Sequence, residues 1–226
     1  MNSGVATVVV EDPGPGGRLD ATNRQKLREV LKARSRDGSR SLLLSIGGDA
    51  WHHAPEVAGY DEDHLAQATV SADPQALVTE LFRLPIPVIV GLHGRVSGLG
   101  FALALAADIR VASPDTTFSL GDPQTCAALL GGSTWLLAHT MDRGTLAHLV
   151  WTGAELTASS AAAQRLVSEV ATDDAVARRL AERLAGLPKQ TASALKRALV
   201  SHHKPDLAAV LEYESWLVGV AAQGGD

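Results

Sequence analysis

HGRVSGLGFALALAADIRV, from His93 to Val111, places three glycines within seven residues, enters an unbroken apolar run and closes on an aspartate followed by a strand-like segment. Upstream lies PIPVIVGL, an apolar run of strand length. The order strand, glycines, helix, strand brings backbone N–H groups of a helix start toward one point. Such groups favour a bound phosphate or an oxyanion that appears only during reaction. Gly94, Gly98 and Gly100 read G-x-x-x-G-x-G, which is not the dinucleotide fingerprint, and no P-loop lysine follows. Ser97 stands in V-S-G rather than G-x-S-x-G, so it reads as a helix cap before it reads as a nucleophile. Tight packing of helix on strand is the other use of these glycines.

Outward from this stretch, strands and helices alternate. Val5–Val10 is a β-branched run ended by EDPGPGG, and Thr22 with Gln25 has capping-box spacing ahead of Leu27, Val30 and Leu31. SLLLSI, Ser41–Ile46, reads as a buried strand closed by Gly47 and Gly48, and WHHAPEVAGYDED as a loop. A broken helix is expected from about Glu62 to Leu84, with Asp73 and Pro74 placed as N-cap and first helical residue. DIRVAS is a further strand. From Gly131 onward the pattern is helical apart from LVSEVA, and Pro188 marks the first helical position of PKQTASALKRALV. Strands that are apolar throughout predict parallel sheets covered by helices. The expected organisation is one α/β domain over 1–226, with an α/β core over 1–130 and a mainly helical part over 131–226.

Composition narrows the partners. Of 226 residues, 46% are hydrophobic and 20% charged, with a net charge of −5, which favours neither disorder nor a nucleic-acid surface. Cys126 is the single cysteine, which excludes an internal disulfide framework and agrees with a reducing cytoplasm. The N-terminus lacks a signal-peptide pattern. GLGFALALAA covers ten residues, short of the roughly 20 that span a bilayer, and reads as a buried helix. No histidine or carboxylate group has metal-ligand spacing, so no metal is expected.

The segment PIPVIVGLHGRVSGLGFALALAADIRVASPDTTFSL resembles the central signature of the crotonase, or enoyl-CoA hydratase/isomerase, superfamily. SLLLSIGGDAWHH is similar to that family's V-V-L-x-G-x-x-x-x-F-x-A-G-x-D segment. GGSTWLLAHTMDRGTLAHLVWTGAELTASSAAAQRLVSEV is similar to its G-G-T…L-T-G…G-L-V segment, so the likeness runs over residues 4 to 218. It implies a crotonase fold, repeated ββα units in a spiral with a helical C-terminal region. It also implies an acyl thioester as substrate, on coenzyme A or on the phosphopantetheine of an acyl carrier protein, and no permanently bound cofactor.

The resemblance places two oxyanion-hole N–H donors at Gly48 and Leu99, flanked along the thioester by Gly47, Gly98 and Gly100. The family's first catalytic glutamate falls on Ala102, which transfers no proton. The second falls on Asp122 when Phe118 is counted without a gap, or on Gln124 when proline is matched to Pro123. Asp122 is preferred because aspartate can act as a base, with a turn residue as its plainer role. His52 and His53 follow the first donor and reach either the pantetheine or the α-carbon, or form a solvated pair. Tyr60 and His64 lie in the segment that lines the acyl pocket of relatives. His139, His148, His202 and His203 are assigned no chemistry.

Lys196 and Arg197 occupy a helix resembling the family's cofactor-flanking helix, with a solvated helix face as the alternative. The last helix, LAAVLEYESWLV, resembles the segment that reaches a neighbouring subunit in family trimers, so a homotrimer is expected. With at most one carboxylate, isomerisation, dehydration or decarboxylation is favoured over two-glutamate hydration. TASALKRALVSHHKPDLAAVLEYESWL resembles the C-terminal pattern of the polyketide β-branching decarboxylases of this superfamily. The alternative is a non-catalytic binding or scaffolding subunit for a carrier protein or partner enzyme.

Overall fold

The computed structural model describes residues 4–10, 21–34, 36–47, 74–123, 131–173, 175–201 and 204–223. Gly48, His52, His53, Tyr60, His64, Gln124, Cys126, His202 and His203 lie outside these residues, as do Asp73 and the whole Trp51–Asp63 segment.

Along the chain come β1 (Val5–Val10), α1 (Ala21–Arg34), β2 (Ser41–Gly47), α2 (74–82), β3 (Val88–His93) and β4 (Arg95–Ser97). Then follow α3 (Gly98–Ala106), β5 (Ile109–Ala112), β6 (Thr117–Ser119), α4 (Ser133–Ala138), α5 (Arg143–Thr152) and β7 (Leu156–Thr157). The chain continues through α6 (Ala158–Ala163), β8 (Glu169–Val170), α7 (Ala175–Ala185), α8 (Lys189–Ser201) and α9 (Lys204–Gln223).

The apolar runs form a five-stranded, wholly parallel sheet in the order β1-β2-β3-β5-β8. The inner strands β2 and β3 are apolar on both sides because both sides are covered. Leu42, Leu44, Ile46, Val88, Val90 and Leu92 face a large core with Leu27 and Leu31 of α1, Leu77 and Leu81 of α2, and all of α3. Leu43, Ile89 and Val111 point the other way, onto Ala177 and Ala181 of α7. Each fully buried leucine or isoleucine contributes about 1.5 to 3 kcal/mol in transfer from water. Small alanines four apart on α7 let that helix lie close to the sheet.

A second sheet, β4-β6-β7, pairs β4 with β6 in parallel and β6 with β7 antiparallel. The sequence pattern did not separate it, since three-residue and two-residue strands carry too few residues for a period. Gly94 (φ 56) and Gly98 (φ 53) bracket β4, in the left-handed region that L side chains rarely adopt. The first turns the chain out of the main sheet, and the second turns it into α3.

Several boundaries differ from the sequence reading. The α1 backbone is already helical at Ala21, so Thr22 is not its cap, and Gln25 donates to Glu29 at 3.1 Å one turn on. Gly47 belongs to β2 rather than closing it, paired with His93. Pro188 precedes α8 instead of opening it, its carbonyl accepting from the Ala192 N–H at 3.0 Å.

Candidate functional site

The site is built at the start of α3. Ser97 has extended backbone (φ −142, ψ 167) and stands at the N-cap, yet its side chain makes no cap hydrogen bond. The Ser97 hydroxyl therefore does not cap the first-turn N–H groups, and the helix field adds to theirs. Leu99 lies in this turn at 0% exposure, between Gly98 and Gly100, both buried. Gly47 and His93 end β2 and β3 side by side at the carboxyl edge of the sheet. A Cβ on Gly47 would lie 3.3 Å from that of His93, a close approach that glycine permits.

One turn into α3, Ala102 is fully buried and carries no proton-transfer group. The turn before α4 closes directly on it. Gly131 and Gly132 are both left-handed (φ 66 and 73). A Cβ on Gly131 would come within 2.8 Å of both the Ala102 Cβ and Val78 Cγ2. Gly132 faces α9 instead, where a Cβ would meet Leu207 Cδ1 at 2.9 Å.

Behind this turn lies Glu214 of α9, at 2% exposure. It accepts from the Gly132 N–H at 2.9 Å and from the Thr134 hydroxyl at 2.7 Å. Burial raises its pKa from the ordinary 4.5 to about 7, against the lowering effect of those two hydrogen bonds. The sequence reading passed over Glu214. The available signal was a carboxylate three and seven residues after Leu211 and Leu207, on the apolar stripe of a helix, where charge is rare.

The other end of α3 explains the aspartate that closes the opening stretch. Asp108 accepts from the Val88 N–H at 2.8 Å, joining the end of α3 to the start of β3. Both its oxygens take the Lys196 ammonium at 2.7 Å. This corrects the solvated-face reading of Lys196, which is 4% exposed and turned inward onto Asp108. Arg197 is exposed, its Nε donating to the Ser193 carbonyl at 3.4 Å. The Arg110 guanidinium donates to the carbonyls of Ala107 at 2.8 Å, Ala104 and Leu105 at 3.3 Å, and Leu166 at 2.6 Å. It thereby fills the carbonyl end of the helix whose amide end faces the site.

Asp122 lies in the exposed segment after β6, in a stretch that packs on the α5 terminus. A Cβ on Gly153 would sit 3.1 Å from Pro123 Cδ. On the opposite face of the main sheet, Ser45, Gly91, His93, Ser113, Asp173 and Arg178 border a cavity of about 160 Å³ beside α7.

The family model described as Enoyl-CoA hydratase/isomerase matches residues 1–223. The chain belongs to the enoyl-CoA hydratase/isomerase family. This is the crotonase superfamily expected from the glycine segment, and its members act on acyl thioesters. A fatty acid oxidation complex subunit alpha from Shewanella sp. (strain ANA-3) is 32% identical over 211 residues. That match covers 88% of this chain but 29% of the relative, so the chain spans less than a third of that subunit's length. A probable enoyl-CoA hydratase from Rhodobacter capsulatus is 25% identical over 100% of this chain and 89% of its own. Among solved structures, a putative enoyl-CoA hydratase from Streptomyces coelicolor A3(2) superposes with a TM-score of 0.75 at 29% identity, covering 100% of this chain and 86% of that one. Among the described residues, no helix is long and apolar enough to cross a membrane.

Proposed function

We propose that this member of the hydratase/isomerase family stabilises the enolate of an acyl thioester with the main-chain N–H groups of Leu99 and Gly48, and decarboxylates or isomerises rather than hydrates. The observation that carries the reading is Ala102: buried in α3, with the Gly131 turn packed on its methyl group, it offers no carboxylate to hold or activate a water. In decarboxylation the carbon–carbon bond to the carboxylate breaks and its electron pair enters the enolate. The thioester oxygen takes the charge under the two N–H donors, and the α-carbon then takes a proton. No base is needed for the first step. Each fixed donor in such a hole is worth about 2.7 to 4 kcal/mol of barrier.

The likeness of Thr191–Leu217 to the polyketide β-branching decarboxylases supports the same direction, with the acyl group on coenzyme A or on a carrier protein. Asp122 is the candidate base for the isomerase and dehydratase variants, with Gln124 as the other aligned position. Gly47, Gly98 and Gly100 are the glycines assigned to the thioester path, Arg197 is the candidate for its anionic part, and His52 and His53 are candidates for the pantetheine or for a proton at the α-carbon. A reducing cytoplasmic setting and a homotrimer complete the reading. Ala102 equally favours a second reading, a non-catalytic crotonase-fold subunit that binds a carrier protein or partner enzyme.

One experiment separates them. Crotonyl, 3-enoyl and glutaconyl-type thioesters, on coenzyme A and on a carrier protein, are incubated with the protein, their masses followed for loss of CO₂ or gain of water, and the double-bond position read from the vinylic proton resonances. The expected products have lost CO₂ or moved the double bond, without gain of water. Turnover abolished by Asp122→Asn but not by Gln124→Glu assigns isomerisation with Asp122 as base. Turnover indifferent to both assigns decarboxylation. Binding without turnover supports the scaffolding subunit, and neither binding nor turnover overturns both readings.

A further inference from the structure

We infer that Glu214 is a positioning residue for the acyl site, acting from α9 through the Gly131–Gly132 turn on the wall at Ala102. The proposal rests on the thioester reading above and adds to it the element that sets the site's shape.

Two consecutive left-handed residues are costly to hold in one conformation, because glycine loses more backbone freedom on ordering than any other residue. Something must fix them. On one side Gly131 meets Ala102 and Val78 too closely for any side chain to intervene. These contacts only limit how near the turn can come. On the other side Glu214 attaches it, with Oε2 on the Gly132 N–H and Oε1 on the Thr134 hydroxyl. The carboxylate thus holds the turn and the first residues of α4 together.

The next residue of α9 ties the same helix to α2. Ser215 donates to Gln75 Oε1 at 2.7 Å, while its own helix offers the Leu211 carbonyl at 2.9 Å. Gln75 is buried at the start of α2, three residues before Val78, the other side chain pressed on Gly131. Glu214 and Ser215 therefore hold both α4 and α2, the two elements that close on Ala102, and Leu207 and Leu211 pack beneath the turn. The wall at Ala102 is thus set from α9, across the Gly131–Gly132 turn.

Glu214→Ala, Glu214→Gln and Thr134→Val are compared with the wild type by hydrogen exchange of the 131–138 segment, by crotonyl-CoA affinity, and by kcat and KM on whichever thioester is turned over. Glu214→Gln keeps an acceptor for Gly132, so protection, affinity and kcat should stay within about threefold of wild type. Glu214→Ala should speed exchange in that segment about tenfold, the loss expected of a helix cap, and lower kcat with KM little changed. Should Glu214→Ala fail to fold, Thr134→Val carries the test, with about threefold faster exchange and a matching fall in kcat. Unchanged exchange and kinetics in the folded variants overturn the proposal. So does a Gln variant that keeps full protection but loses kcat, since the carboxyl would then act in the chemistry itself. If no thioester reacts, the thioester reading fails on its own terms, while loosened exchange with weakened crotonyl-CoA binding still supports Glu214, and unchanged binding counts against it.

Discussion

At position 99 the functional atom proposed is a backbone nitrogen, and leucine carries that N–H as glycine would. The neighbouring problem at position 102 has no such solution, because a methyl group cannot stand in for a carboxylate. Both facts are readable from residue identity once the glycine segment is aligned. Lys196 was not readable, since a lysine on an amphipathic helix is ordinarily solvated. Its partner, Asp108, lies 88 positions away in sequence, and only folding brings the pair to 2.7 Å. Replacing Lys196 by methionine should cost about 2 to 4 kcal/mol, because it leaves a largely buried carboxylate with one backbone donor. Denaturation midpoints measure this, and crotonyl-CoA affinity of the folded variant should stay unchanged. A weakened affinity at undiminished stability would return Lys196 to the substrate.

Among the elements, the buried strands and α3 were legible because a continuous apolar run of strand or helix length has few other fates. The strands of the small sheet were not, since β4, β6 and β7 hold three, three and two residues and owe their existence to pairing. Helix α9 was legible as a helix but not as a clamp, because its periodicity says which face is buried and not what lies across from it. The buried acid on that face makes stability depend on pH. Glu214 has a folded-state value of about 7 against an ordinary 4.5. Its protonated form is therefore the one the fold favours. The contribution is present below about pH 4.5 and is lost as pH rises toward 7. At about 1.4 kcal/mol per pH unit, the wild type should lose about 2 to 4 kcal/mol relative to Glu214→Gln across that window. Urea unfolding of both proteins from pH 4.5 to 8 measures the divergence, and parallel curves would contradict it.

For the whole molecule, the C-terminal helices leave an apolar surface. Leu195 and Leu199 lie one turn apart on α8, and Tyr213 and Trp216 stack on α9 with ring centroids 5.7 Å apart, all of them exposed. These exposed side chains are the candidates for the contact with a second copy of the chain that the proposed trimer needs. Light scattering after gel filtration should give a trimer for the wild type and a smaller species for Leu199→Glu with Trp216→Glu. A monomeric wild type would refute the assignment. What the sequence determined by itself was the class of the main sheet, the buried helix behind the glycines and the absence of a glutamate at position 102. These depend on local runs, spacing and residue identity. Only the tertiary structure decided that Lys196 binds Asp108, that Gly131 closes on Ala102 and that Glu214 holds it there. Each joins residues tens of positions apart, and no local pattern encodes a distance across the fold.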